Sequence, residues 1–280
     1  MKITTLIENQ APDSLNKEHG LAVHIEYKGK NYLLDTGASG QFAENAHRLG
    51  ISLSDIDTAF LSHAHYDHSG GYREFFSENS KASLYLQKAV RENCYSKFFL
   101  FRQYIGIPRG TLEEYSRRLR FVSGTSEIEP GVWTVSHNIP GLSEKGRKGH
   151  MYIRSKSGFN ADDFSHEQSL VFEGDQELIL FNSCCHAGVV SIVDEVNHAL
   201  KATGKRVSYV FGGFHTMGLC GPGSMSGRPE DIQKLGRSLL RRNISCIYTG
   251  HCTGIPAFSI LKKTMKEKVC YMKTGSVINL

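Results

Sequence analysis

The chain has 280 residues, 40% of them hydrophobic and 22% charged, the composition of an ordinary globular protein large enough for one α/β domain or two small ones. Its net charge of +5, with 13 histidines uncounted, helps to attract an anion but is too small to argue nucleic-acid binding. Seven cysteines, an odd number with Cys184 and Cys185 adjacent, exclude a disulfide scaffold, and no apolar run reaches the roughly 18 residues that cross a membrane.

In chain order, Lys2 to Glu8 and Leu21 to Tyr27 alternate as strands do. Gly29 marks a turn, and Asn31 to Leu34 continues as a hairpin partner that ends at Asp35 and runs into Thr36-Gly37-Ala38-Ser39-Gly40. A helix follows with Phe42, Ala46 and Leu49 on its apolar face and Gly50 as its stop. Thr58 to Leu61 is a short apolar strand. Residues 85–120 read as an inserted helical segment, with helices over Ala89 to Leu100 and Thr111 to Leu119 rich in Tyr, Phe, Arg and Lys. Gly141 to Phe164 reads as a long polar loop. Strand signals recur at Val132 to Val135, Ser169 to Phe172, Leu178 to Phe181, Tyr209 to Phe211 and Cys246 to Tyr248, with helices over about 189–203 and 229–242.

The chemistry concentrates in Ser62-His63-Ala64-His65-Tyr66-Asp67-His68-Ser69-Gly70-Gly71, directly after an apolar strand. In a loop, this spacing lets alternate side chains converge, while adjacent Asp67 and His68 point toward a second metal. Imidazole and carboxylate donors suit zinc, iron or manganese better than calcium or magnesium. Gly70 and Gly71 permit a tight exit that brings backbone close.

This His-x-His-x-Asp-His run resembles the signature of the metallo-β-lactamase superfamily. Leu33-Leu34-Asp35-Thr36-Gly37 upstream is similar to the family's strand-ending Asp-Thr-Gly, and Ser54-Asp55-Ile56-Asp57 to its lead-in. Asp162 to Leu170, Phe181-Asn182-Ser183-Cys184-Cys185-His186, Phe211-Gly212-Gly213-Phe214-His215 and Thr249-Gly250-His251-Cys252-Thr253-Gly254 extend the resemblance. They point to the branch labelled 7,8-dihydropterin-6-methyl-4-(β-D-ribofuranosyl)aminobenzene-5′-phosphate synthase-like. The resemblance implies a single α/β domain over residues 1–280, a four-layer αββα sandwich with its metals at one edge.

It also implies roles. His63 and His65 would hold a first metal with His186; Asp67 and His68 would hold a second with His251. The cofactors expected are two divalent transition metals, zinc first, with manganese or iron as alternatives. Asp35 would orient neighbouring ligands. His166 and His215 are candidates for supporting or substrate contacts. Where many dinuclear members carry a bridging Asp, this chain has no carboxylate, and Cys184 is either a thiolate ligand or a small buried side chain.

The function these residues suggest is a metal-dependent hydrolase of a small anionic, phosphate-bearing or pterin-like substrate, or a related transferase, with Asp67 handling a proton. A bound metal lowers the pKa of water from 15.7 to about 7. An iron-dependent redox enzyme and a metal-bound sensing module without turnover are the alternatives. The opening MKITTLIENQ carries no signal-like apolar run, so the expected setting is cytoplasmic, without membrane or nucleic acid. A homodimer is the candidate assembly.

Overall fold

The structure, a computed structural model, describes residues 1–218, 221 and 223–280. The chain divides into two compact units. The first comprises Met1–Ser123, Asn138–Gln168 and Lys273–Leu280; the second comprises Gly124–His137 and Ser169–Met272.

The first unit is built on a sheet whose described strands run in the order Val277–Asn279, Lys2–Ile7, Ala22–Tyr27, Lys30–Leu34, Thr58–Phe60, Ser83–Gln87 and Leu119–Val122. The first three pairings are antiparallel and the last three parallel. The change follows the connections. Gly29, at φ 76°, closes a hairpin, whereas helices Gln41–Arg48 and Tyr72–Glu78 carry the chain back between parallel strands. Phe42, Ala46, Phe75, Leu33, Ala59 and Leu84 from these helices and strands share one buried core. Parallel strands packed this way leave their carboxyl ends together, and Asp35 and Ser62 follow two such ends.

The segment expected to be helical is mostly not. Cys94–Phe98 and Phe101–Tyr104 form a hairpin whose two-residue turn is Phe99 and Leu100, with Phe99 at φ 51°. It joins strands Met151–Ser155 and Gly158–Ala161 in a separate four-stranded sheet. Helix is confined to Thr111–Glu114 and a 3-10 turn at Ser116–Arg118. Aromatic side chains fit a pleated surface at least as well as a helix, and a cross-strand partner decided the matter. That partner lies inside the supposed long loop: residues 141–164 contain helix Leu142–Lys148 and the second hairpin. Tyr95 packs edge-on against Tyr104 and Phe159, and Arg102 lies 4.4 Å over the Phe159 ring.

The second unit carries the sheet order Val269–Tyr271, Cys246–Thr249, Arg206–Phe211, Glu177–Phe181, Gln168–Glu173, Val132–Ser136, Thr125–Glu129 among its described strands. The four strands from Glu177–Phe181 to Val269–Tyr271 are parallel. Helices Val189–Ala199, Pro229–Leu240 and Ile255–Met265 connect them. Phe211 stacks between Phe181 and Tyr248 at centroid distances of 4.6 and 4.7 Å, which aligns three strands whose carboxyl ends lead to His186, His215 and His251. Among the described residues, no helix is long and apolar enough to cross a membrane.

Candidate metal centre

In the first unit, the His-rich run leaves its strand extended, so His63 and His65 precede a one-turn helix, Tyr66–Ser69, that carries Asp67 and His68. All four are buried. The His63 ring lies 4.6 Å from His65 and 4.2 Å from His68, centroid to centroid. Backbone bonds hold the turn on two sides. Tyr66 N–H donates to the Ile105 carbonyl at 2.9 Å, and Thr36 N–H donates to the His68 carbonyl at 2.9 Å. Glu18 braces the neighbouring loop by accepting from the backbone N–H groups of Ala38 and Ser39 and from the Ser39 hydroxyl.

Gly70 is helical at φ −66°, so its role is close approach and not an unusual turn. A Cβ there would stand 2.0 Å from the Ala38 carbonyl oxygen.

Asp35 sets the ring orientations. Wholly buried at φ 60°, it accepts from Ser62 N–H at 2.7 Å through Oδ1. Its Oδ2 accepts from Ser62 Oγ at 2.6 Å and faces His68 Nδ1 at 2.8 Å. A carboxylate only accepts, so His68 Nδ1 carries the proton and its Nε2 is the lone-pair nitrogen. The single hydroxyl proton of Ser62 is directed to Asp35, so His63 Nδ1, 2.8 Å from that hydroxyl, must itself donate. Its Nε2 is then also a lone-pair donor. These are the tautomers that metal-binding histidines take when the other nitrogen is held.

His68 Nε2 meets Asp67 Oδ2 at 3.4 Å. Two electron-pair donors this close call for a cation between them. In the metal-free chain that cation is a proton: burial opposes charge on His68, but Asp67 and Asp35 outweigh it and push its pKa up to about 10. His65 goes the other way. Burial first, then the neighbouring His166, lowers it to about 3, so its imidazole is neutral at pH 7. Both nitrogens and carboxylate are suited to a transition metal.

A second layer of buried groups surrounds His65. Its donor atoms and those of Cys94, Asp162 and His166 lie within 4.8 Å of one another. Ala64 N–H donates to His166 Nδ1 at 3.2 Å, which leaves Nε2–H to donate to Asp162 Oδ2 at 3.1 Å. Cys94 carries no sequence signal, and Asp162 is marked only as part of the segment that includes His166; chain folding brings both here. His19, which lies outside the His-x-His-x-Asp-His run, places Nε2 3.4 Å from Asp67 Oδ2.

In the second unit, Cys184, Cys185 and His186 follow strand Glu177–Phe181, and the Asn182 side chain accepts from Cys185 N–H at 2.7 Å, fixing that bend. His186 and His215 rings lie 4.4 Å apart. Donor atoms of Cys184, His251 and Cys252 fall within 4.8 Å of one another, all buried. Cys185, His215 and His251 have φ of 50°, 50° and 46°, a left-handed conformation costing non-glycine residues of order 1 kcal/mol or more and found where side chains are positioned for function. Burial would raise the Cys252 thiol, but its contacts with Cys184, His251 and His215 bring it well below the usual thiol range.

The mixed α/β architecture, with buried imidazole, carboxylate and thiol groups after the carboxyl ends of parallel strands, matches the metallo-β-lactamase fold. A family model for the metallo-beta-lactamase superfamily matches residues 16–146. It is similar to the 7,8-dihydropterin-6-methyl-4-(beta-D-ribofuranosyl)-aminobenzene-5'-phosphate synthase of Methanocaldococcus jannaschii, 27% identical over 298 residues that cover 99% of this chain and 96% of the relative. An uncharacterized protein of the same organism is 26% identical over 281 residues, covering 99% and 100% of the two chains. Among solved structures, a metal-dependent hydrolase of the beta-lactamase superfamily superposes with a TM-score of 0.82 at 24% identity, covering 100% of this chain and 99% of the other.

Proposed function

We propose that the chain is a metal-dependent hydrolase of a small anionic substrate, phosphate-bearing or pterin-like, with His63, His65, Asp67 and His68 among its metal ligands. The observation that carries this reading is the pairing of His68 Nε2 with Asp67 Oδ2 at 3.4 Å while Asp35 holds the opposite nitrogen of the same ring. A bound divalent transition metal would supply Lewis acidity and a water acidified into the neutral range.

The chain's own groups then have distinct tasks. Asp35 and Ser62 hold His68 and His63 in the ligand tautomer. The Asp67 side chain retains 11% exposure where that of His68 has none, so Asp67 is the group placed to exchange a proton with a substrate. His19 steadies that carboxylate. The reading also takes His186 and His251 as ligands, each to be tested by its own alanine substitution and metal content. The name of the 27%-identical relative supports a substrate bearing a pterin and a phosphate. Because that relative is named a synthase, group transfer to an acceptor other than water is the second reading.

The test combines metal content and turnover. Protein purified without added metal should carry a transition metal and cleave a chromogenic phosphodiester, and His65→Ala should lose both while keeping its circular dichroism spectrum. Unchanged metal content in that variant would defeat the ligand assignment. Metal uptake with turnover only when an acceptor alcohol or amine is supplied would favour the transfer reading.

A further inference from the structure

We propose that Cys252, together with Cys184, supplies sulfur donors beside His251, so that the second unit carries a thiolate-bearing metal site. The proposal rests on the reading above that the chain binds a divalent transition metal, and it names ligands that the His-x-His-x-Asp-His pattern does not.

Three observations support it. First, the donors come from two separate strand ends, Cys184 after Glu177–Phe181 and His251-Cys252 after Cys246–Thr249, yet they lie within 4.8 Å of one another and are 3%, 1% and 4% exposed. Second, the space around the Cys252 sulfur is shaped for it. The backbone N–H of His215 donates to Sγ at 3.2 Å, the bond a negative sulfur accepts best, and a Cβ on Gly213 would come within 2.4 Å of the same atom. Third, His251 and His215 hold left-handed backbone conformations at both sides of this sulfur. A cysteine serving only as a small apolar side chain needs neither an aimed N–H nor strained neighbours. The contrast is internal: Cys246 and Cys270 lie half-buried on neighbouring strands and outside the cluster.

Sulfur donors change the metal preference. Thiolate with imidazole selects zinc and other borderline or soft cations over magnesium, calcium and manganese. Binding is balanced by release to solvent of each thiol proton still held as the two metal–sulfur bonds form.

Cobalt(II) reads the ligands directly. The full chain, stripped by chelation and reloaded with cobalt(II) under reducing conditions, should show a near-ultraviolet sulfur-to-cobalt charge-transfer band. Cys252→Ser and Cys184→Ser should each weaken it, and the double variant should lose it. Cobalt bound without that band in the wild type, or a band unchanged in the double variant, would overturn the thiolate proposal while leaving metal binding intact. Failure to bind cobalt at all would remove both. Should the variants fail to fold, X-ray absorption on the zinc-loaded wild type decides: a sulfur shell near about 2.3 Å supports the proposal, and nitrogen and oxygen alone near about 2.0 Å refutes it.

Discussion

Asp35 is the residue on which the first cluster turns, since one carboxylate sets the protonation of two histidines. Asp35→Asn would offer an amide N–H toward groups that are themselves donors. We expect metal affinity, measured by competition with a chromogenic chelator, to fall about 10- to 100-fold with secondary structure retained. Unaltered affinity would show that Asp35 is dispensable for ring orientation. His24, on strand Ala22–Tyr27, is a separate case. Burial lowers its pKa below 6.5 despite the hydrogen bond to Asn31. A depressed folded value means the unfolded chain binds more protons just below pH 6.5, so that part of the stability is present above 6.5 and lost as pH falls. His24→Gln keeps a donor for Asn31 and should flatten the fall in melting temperature over that window. Sequence could identify His63, His65, Asp67 and His68 because they share one short run; it could not identify His19 or Cys94, which reach the cluster from distant segments and have no local spacing to announce them.

Among elements, the short helix Tyr66–Ser69 and the loop after Lys30–Leu34 are locked by one close approach. Gly70→Ala forces a Cβ against the Ala38 carbonyl, a backbone atom that cannot rotate away. We expect a loss of about 1–3 kcal/mol in chemical denaturation, with weakened metal binding because Asp35 and His68 sit on the two displaced segments. The aromatic hairpin should behave otherwise at its tip. Phe99, Leu100 and Phe101 are 80%, 89% and 79% exposed. Replacing all three by serine should leave metal content unchanged and stability within about 0.5 kcal/mol per site. Loss of metal would show that the tip supports the His-rich turn as Ile105 does. The hairpin was misread from sequence for a physical reason: its aromatic run satisfies a helix face and a pleated strand alike, and the deciding partner, Met151–Ser155, lies some fifty residues downstream.

For the whole molecule, metal binding and folding are linked. A ligand that binds only the native chain adds about 2.7 kcal/mol at a hundred times its Kd, so chelation should lower the melting temperature and readdition should restore it. The pH dependence has a definite sign. Because His68 is raised to about 10, its proton favours the metal-free folded chain fully below the unfolded value of 6.5, and that contribution is lost as pH climbs toward 10. An incoming metal must displace the same proton. Its apparent affinity should therefore rise with pH across the neutral range, by about tenfold per unit for each proton released. Isothermal titration in buffers of different ionisation enthalpy would count those protons, and a count of zero would contradict the raised His68.

The amino-acid sequence by itself determined the strands Lys2–Ile7, Ala22–Tyr27, Lys30–Leu34 and Thr58–Phe60 of the first sheet, the helix over Gln41–Arg48, the strands that lead to His186, His215 and His251, and the donor-rich run itself. These are patterns of short range, set by side-chain periodicity and by residue chemistry within a few positions. Tertiary structure alone decided that an aromatic stretch became a hairpin, that a polar loop became its partner, and that Cys252 came beside Cys184. Each depends on which distant backbone or side chain is available to pair with, and that availability exists only once the chain has folded.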